Sequence, residues 1–148
     1  MIGLDVGDKR IGVAAADALG LTAQGLPTIV RQGSDADLDK VIDVYTQRQA
    51  KGIVVGMPYN MDGSRGPQAE KVKGFADELV ARMLERGIDE PAVIYRDERL
   101  TTVAATRTLI DADVSRKKRK DSVDKLAAVL ILQGYLDMVY YKNKDVQI

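Results

Sequence analysis

The stretch IGLDVGDKRIGVAAAD, residues 2–17, decides how the fold begins. Apolar side chains recur at every second position in two runs, first Ile2, Leu4 and Val6 and then Ile11, Val13 and Ala15. Such alternation is typical of strands that bury one face. Between the two runs, Gly7, Asp8 and Lys9 supply a turn. We therefore predict that the chain opens with a β-hairpin.

Beyond the hairpin, the sequence predicts a third extended segment and then a helix. The extended segment lies around 21–30, where Pro27 favours an edge or irregular strand. Ser34 is the predicted N-cap of the helix, which carries apolar residues on one face and closes at Gly52.

The rest of the chain alternates between strands and helices. We first predict a buried strand at 53–56, a turn-rich segment at 57–66 and a helix with Pro67 in its first turn and Gly87 at its end. A strand at 92–95 and a helix from Thr101 or Thr102 to about 111 follow. A basic connector at 114–120 then leads to an almost wholly apolar helix from Ser122 to about Tyr141. Three leading strands followed by helix–strand units predict an α/β fold whose mixed sheet is antiparallel at the hairpin and parallel beyond it.

Composition limits the chemistry that the chain can perform. With 148 residues, we expect residues 1–148 to form a single domain. The sequence contains no cysteine and no histidine, which excludes thiolate zinc sites, cysteine nucleophiles and imidazole catalysis. The first strand begins almost at Met1 and no apolar run approaches membrane-spanning length, so we expect a cytoplasmic protein that does not contact a membrane.

Asp5 is the first candidate for chemistry. It lies inside the predicted first strand, between Leu4 and Val6, where a buried position would normally be apolar. A buried carboxylate needs a partner or a metal ion. Strict alternation also allows the alternative, in which Asp5 faces solvent on an open side of the hairpin.

Two further acids occupy positions where an α/β sheet presents ligand groups. Glu98 follows the last predicted strand within the segment DERLTT (97–102), and Asp124 lies in the first turn of the apolar last helix. Each also has a simpler interpretation, since acids near a helix start complement the helix dipole. Asp97 and Asp121 remain alternatives to Glu98 and Asp124 as ligands.

Together, Asp5, Glu98 and Asp124 indicate a metal site. Oxygen ligands of this kind suit Mg²⁺ or Mn²⁺. Two such ions can activate water and stabilise a leaving oxygen in phosphodiester cleavage, a reaction that needs no histidine. The chemistry therefore agrees with the composition.

Cations and polar groups suited to phosphate surround these acids in the sequence. The predicted nucleic-acid contacts are Lys9, Arg10, Asn60, Ser64, Arg65, Arg99, Lys117, Lys118 and Arg119. Overall charge gives no such indication, because 22 Lys and Arg balance 22 Asp and Glu, and a basic run is often only a solvated face. With one Phe and no Trp, recognition should depend on the backbone and shape of the nucleic acid more than on base stacking.

Four blocks of the sequence closely resemble the YqgF/RuvX family. They are GLDVGDKRIGVA (3–14), VVGMPYNMDGSRGPQAEKV (54–72), DERLTT (97–102) and KKRKDSVDKLAAVLILQGYLD (117–137). They occur in order and span nearly the whole chain. The resemblance implies a ribonuclease H-like fold related to Holliday junction resolvases. It also implies a nuclease that processes the 5′ end of pre-16S ribosomal RNA or, alternatively, resolves branched DNA.

Residue by residue, the family's acidic site falls on Asp5, Glu98 and Asp124. Its other polar motif positions fall on Lys9, Arg10, Asn60 and Arg99. The departures are mild: Tyr59 and Arg65 stand where leucine and glutamate or another polar residue would be expected. The resemblance implies a nucleic-acid partner and leaves the choice between monomer and homodimer open.

Two other classes of protein compete with the nuclease interpretation. Asp5–Gly12 fits the D-x-G-x-x-x-x-G pattern that actin-like ATPases and sugar kinases use to hold phosphates. Those proteins close two such domains around a nucleotide, and this chain has room for one. A non-catalytic RNA-binding module is the remaining alternative, which the presence of all three acids disfavours.

Overall fold

A computed structural model describes residues 1–100 and 116–146, with side chains for 1–99 and 124–143. The strands are β1 (Ile2–Val6), β2 (Arg10–Ala16), β3 (Ala23–Val30), β4 (Gly52–Met57) and β5 (Ala92–Asp97), and the helices are α1 (Ser34–Gln47), α2 (Pro67–Glu85) and α3 (Arg116–Val146). A short 3₁₀ turn, Glu98–Leu100, follows β5. None of the described helices is long and apolar enough to cross a membrane.

The five strands form one mixed sheet in the order β3-β2-β1-β4-β5. β1 pairs antiparallel with β2, and β2 pairs antiparallel with β3. β1 pairs parallel with β4, and β4 pairs parallel with β5. The predicted hairpin and mixed sheet are therefore confirmed, and Pro27 does lie in an edge strand.

The two faces of the sheet are packed differently. Large apolar side chains of β1, β2 and β4 pack with those of α1 and α2 on one face. On the other face, smaller residues such as Ala14 pack beneath α3, against Ala128, Ile131 and Leu132. Because side chains alternate along a strand, the even-numbered positions of β1 point to the first face and Gly3 and Asp5 to the second.

The predicted boundaries of α1 are wrong at both ends. Ser34 is the first helical residue and Gly33 precedes it in the cap position, with no side-chain hydrogen bond to the cap. At the other end, Gln49 adopts a φ of 53° just after the helix, so a non-glycine residue makes the left-handed turn. Gly52 instead begins β4, where an added Cβ would lie 2.7 Å from the backbone oxygen of Ala92.

The predicted basic connector at 114–120 is also wrong where the structure describes it. Arg116 to Lys120 belong to α3, which continues to Val146, beyond the predicted end near Tyr141. Lys and Arg are good helix formers, and neither Gly nor Pro interrupts the sequence between 116 and 133. The helix predicted from Thr101 or Thr102 to about 111 lies outside the described residues.

Candidate active site

A cleft of about 240 Å³ opens at the carboxyl ends of β1 and β4. It is lined by Asp5, Val6, Gly7, Gly56, Pro58, Gln68, Glu98 and Asp124. The three acids singled out in the sequence thus line one cleft, although they come from a strand, the turn after another strand and a helix. This is the end of a parallel sheet at which α/β proteins place ligands.

Asp5 lies on the face of the sheet that α3 covers. Its side chain is only 8% exposed, so the alternative that it faces solvent on an open hairpin is wrong. The neighbouring Gly3 shows how close the covering helix is, since an added Cβ there would lie 2.7 Å from Cβ of Leu132. A carboxylate in this position is held at the rim of the cleft, with α3 overhead.

Gly12 allows Asp124 to approach Asp5. Gly12 is the β2 partner of Asp5 in the antiparallel register. A Cβ added to Gly12 would lie 2.1 Å from the backbone oxygen of Asp124, a distance that no side chain could tolerate. The absence of a side chain therefore lets the helix bring Asp124 directly over the strand beside Asp5.

Gly56 makes the corresponding room for Glu98 on the other side of β1. Gly56 follows Val55, which is the β4 partner of Leu4, so it lies next to the carboxyl end of β1. A Cβ added there would lie 2.8 Å from Oε1 of Glu98. A glycine on each neighbouring strand thus flanks Asp5 and admits one of the other two acids.

The donor set of the cleft suits a hard divalent cation. Three carboxylates from separate elements offer the oxygen ligands that Mg²⁺ and Mn²⁺ prefer. Across residues 1–100 and 116–146, no three or more acids lie close enough together to hold a metal ion as they stand. The acids share a cleft, and their closer convergence on a common ion stays a prediction. The alternative ligand Asp121 lies outside the residues whose side chains are described.

Asp97, the other alternative ligand, is engaged away from the cleft. Its carboxylate accepts hydrogen bonds from Nη2 of Arg99 at 2.6 Å and from the backbone N–H of Arg99 at 2.9 Å. The Arg99 side chain, outweighing the effect of burial, holds the pKa of Asp97 below its ordinary value. The sequence left Asp97 and Glu98 as competing ligands, and the structure places only Glu98 at the cleft.

Arg99 connects β5 to the loop between β4 and α2. Besides pairing with Asp97, it donates from Nη1 to the backbone oxygen of Met61 at 3.1 Å. Its Cζ lies 5.7 Å from the centre of the Tyr59 ring. Arg99 was predicted to contact phosphate, and in this structure it holds the 58–66 loop against the turn that carries Glu98.

The predicted phosphate contacts of that loop are bonded within the loop or to the helix that follows it. Nδ2 of Asn60 donates to Oγ of Ser64 at 3.0 Å, and Oγ of Ser64 donates to Asp62 at 2.6 Å. Arg65 pairs with Glu70 at 3.4 Å, and both side chains are exposed. None of the predicted contacts Asn60, Ser64 and Arg65 lines the cleft itself.

The remaining predicted contacts lie on two other elements. Lys9 is in the turn between β1 and β2, two positions after Gly7 of the cleft lining, and Arg10 is the first residue of β2. Lys117, Lys118 and Arg119 belong to the first turns of α3, the helix that carries Asp124.

Gln68 and Gly56 are among the cleft residues that the sequence does not predict as site residues. Gln68 follows Pro67 in the first turn of α2 and lines the cleft, as does Gly56. The signal for Gln68 was its position directly after the turn-rich segment, at a helix start. The signal for Gly56 was a glycine ending a buried apolar run, which indicates a close approach by another part of the chain.

Comparison with solved structures defines the fold class. A structure described as T. thermophilus RuvC in complex with Holliday junction substrate matches with a TM-score of 0.55 at 17% identity, covering 93% of this chain and 96% of that one. Another Thermus thermophilus RuvC structure matches with a TM-score of 0.50 at 14% identity, covering 92% and 94%. The protein has a ribonuclease H-like fold, as predicted.

Sequence comparison defines the family within that class. The family model described as "RuvX: Holliday junction resolvase" matches residues 1–138. A protein of Halothermothrix orenii named "Putative pre-16S rRNA nuclease" is 51% identical over 144 residues, covering 97% of this chain and 96% of the relative. A Clostridioides difficile protein of the same name is 54% identical over 137 residues, covering 93% of both. The chain therefore belongs to the RuvX family, and the predicted membership is confirmed.

Proposed function

We propose that the chain is a metal-dependent nuclease that hydrolyses phosphodiester bonds at the 5′ end of precursor 16S ribosomal RNA. The observation that carries the activity is the cleft lined by Asp5, Glu98 and Asp124. Their ligand chemistry supports metal-assisted hydrolysis in a chain without histidine or cysteine. Precursor 16S rRNA is taken as the substrate from the names of relatives about half identical over nearly the full length, and the 5′ end from the family resemblance.

Asp5, Glu98 and Asp124 would hold Mg²⁺ or Mn²⁺, with two ions as the proposed number. When bound, the ions supply an activated water and stabilise the leaving oxygen. The chain contributes the geometry, because two glycines and the covering helix hold three mutually repelling carboxylates at one rim. Two of the three acids lie on a strand and a helix, which keep their ligands in place before the substrate arrives.

Cationic groups on elements next to the cleft would bind the substrate backbone. Lys9 and Arg10 follow the cleft residue Gly7, and the basic run of α3 begins the helix that carries Asp124. Gln68 at the rim can donate amide hydrogen bonds to a phosphate or sugar oxygen. Such contacts position the nucleic acid without reading its sequence.

A second candidate function is resolution of Holliday junctions. The description of the family model favours it, since it names that activity. The same cleft would then cut branched DNA, and binding without cleavage would instead indicate an RNA-binding module. These outcomes differ in substrate and in chemistry, so one assay separates them.

The test incubates purified protein with 5′-extended precursor RNA and with a synthetic four-way DNA junction, each with Mg²⁺, Mn²⁺ or excess EDTA. We expect cleavage of the RNA with either metal ion and none in EDTA. Preferential cutting of the junction would favour the second candidate, and binding without cleavage would favour the third. Full cleavage in EDTA would contradict the metal mechanism for any substrate.

A further inference from the structure

Asp37 in α1 is a buried carboxylate outside the cleft. Its side chain is almost fully buried, and the residue is only 1% exposed. Oδ2 accepts a hydrogen bond from Nε of Arg31 at 3.0 Å, and Oδ1 accepts one from the backbone N–H of Gln32 at 2.9 Å. Burial raises the pKa of Asp37, but the Gln32 amide and the Arg31 guanidinium together hold it below its ordinary value. The carboxylate is therefore charged and fixes the orientation of Arg31.

Arg31, held in this way, reaches the turn between β1 and β2. Its Nη1 donates to the backbone oxygen of Gly7 at 2.8 Å, and its backbone N–H donates to the oxygen of Lys9 at 3.0 Å. The guanidinium also lies over the Phe75 ring, with Cζ 5.1 Å from the ring centre. One residue thus joins a buried carboxylate, an aromatic ring and two carbonyl oxygens of the turn.

The turn that Arg31 holds lies at the rim of the cleft. Gly7 lines the cleft, and its N–H closes the turn by donating to the oxygen of Arg10 at 2.9 Å. The turn carries Lys9 and leads into Arg10, the first residue of β2, and these two are the cations proposed to contact the substrate backbone. A turn already fixed in the free protein spares the cost of ordering it when a substrate binds.

We propose that Arg31 and Asp37 are positioning residues that fix the β1–β2 turn so that it presents Lys9 and Arg10 to the substrate backbone. This inference rests on the proposed function, because it takes those cations as substrate contacts. It assigns a role to a partly buried ion pair whose two residues do not line the cleft.

Arg31→Lys is the informative variant. Lysine keeps the positive charge and can still pair with Asp37, but it lacks the planar fork that donates to Asp37 and Gly7 at the same time. We expect KM for the cleaved substrate to rise roughly 3- to 10-fold, as the side chains of a loosened turn are ordered on binding. We expect kcat to change less than about twofold, since the acids are untouched.

Arg82→Lys is the matched control. Arg82 also pairs with a carboxylate of α1, with Nε 2.8 Å from Oδ1 of Asp39, and its side chain is 29% exposed against 25% for Arg31. It makes no hydrogen bond to the turn in the described structure. We expect Arg82→Lys to leave KM unchanged. Combining Lys9→Ala and Arg10→Ala should abolish the effect of Arg31→Lys on KM, because the positioned groups are then missing.

Hydrogen exchange provides a readout that does not depend on activity. The amide of Gly7 should exchange faster in Arg31→Lys than in the wild type, and at the wild-type rate in Arg82→Lys. If the turn loosens as expected but the wild-type protein cleaves neither RNA nor DNA, the positioning is supported and the proposed function fails. Unchanged exchange in Arg31→Lys, an unchanged KM in active enzyme, or an equal rise in KM for Arg82→Lys would overturn the proposal.

Discussion

The two faces of the sheet use the same strands for opposite purposes. The face beneath α1 and α2 is filled with large apolar side chains, among them Leu4 and Val13, which are fully buried. The face beneath α3 has glycines at positions 3, 12 and 56, and its one acid within β1 is Asp5. Small residues let a helix and two carboxylates approach the sheet, whereas large residues bury apolar area. The comparison indicates that one face mainly stabilises the protein and the other mainly forms the candidate site.

The largest expected effect comes from Asp124→Asn on the face beneath α3. The substitution keeps the shape of the side chain but removes its charge, so cleavage should fall by orders of magnitude. Folding should survive because Asn has nearly the same size and shape as Asp and lies inside the continuous helix α3, whose backbone hydrogen bonds it leaves intact. Nucleic-acid affinity should hold or rise as repulsion of phosphate decreases. Cleavage rates and fluorescence-anisotropy titrations measure the two effects separately.

The control for that prediction is Asp43→Asn, which removes the same charge from an exposed position on α1. It should cleave like the wild type. Normal cleavage by Asp124→Asn would show that Asp124 is not a metal ligand and would turn attention to Asp121.

The next largest effect should come from truncating the large-residue face. Leu79 in α2 is 1% exposed, and Leu79→Ala should lower the free energy of unfolding by about 2–5 kcal/mol. Leu84→Ala on the same helix is the matched control, because Leu84 is 49% exposed. This substitution should change the free energy of unfolding by no more than about 0.5 kcal/mol. Urea denaturation measures both. Equal costs for the two variants would contradict the packing described for this face.

The smallest stability effects should come from a pair of Gly→Ala substitutions with opposite signs. Gly12→Ala places a methyl group against the backbone of Asp124. It should lower the free energy of unfolding by about 1–3 kcal/mol and reduce cleavage. Gly74→Ala in α2 meets nothing within 4 Å and should stabilise the protein by about 0.5–1 kcal/mol without affecting cleavage. Denaturation and cleavage assays on both proteins test the pair. A Gly12→Ala protein as stable and active as the wild type would contradict the close approach of α3.

Much of the fold could be predicted from the sequence because its signals are local. The alternation in residues 2–17 predicts the hairpin, and Pro67 and Gly87 bracket α2. A serine before an apolar run is a frequent N-cap, so the sequence predicts Ser34 in that position, whereas Gly33 occupies it in the structure. The charge of the basic run is typical of a solvated connector, but Lys and Arg are also good helix formers, and in the structure this run forms the first turns of α3.

The candidate site could be predicted only in part, since its geometry depends on contacts distant in sequence. Alternation allowed Asp5 to face either solvent or a covering layer, and only the packing of α3 decides between them. Arg31, which pairs with Asp37, donates to the backbone oxygen of Gly7 although it lies 24 positions later in the chain. No pattern in the sequence near the turn predicts such a contact.

The central claim is that the face beneath α3 forms one metal site from three acids. Calorimetric titration of Mn²⁺ into the wild type, Asp5→Asn, Glu98→Gln, Asp124→Asn and the Asp43→Asn control tests it most directly. We expect each of the three cleft substitutions to weaken binding at least about 10-fold, equivalent to about 1.4 kcal/mol, and the control to bind like the wild type. Wild-type affinity in any folded cleft variant would contradict the assignment of that acid, and wild-type affinity in all three would contradict the site.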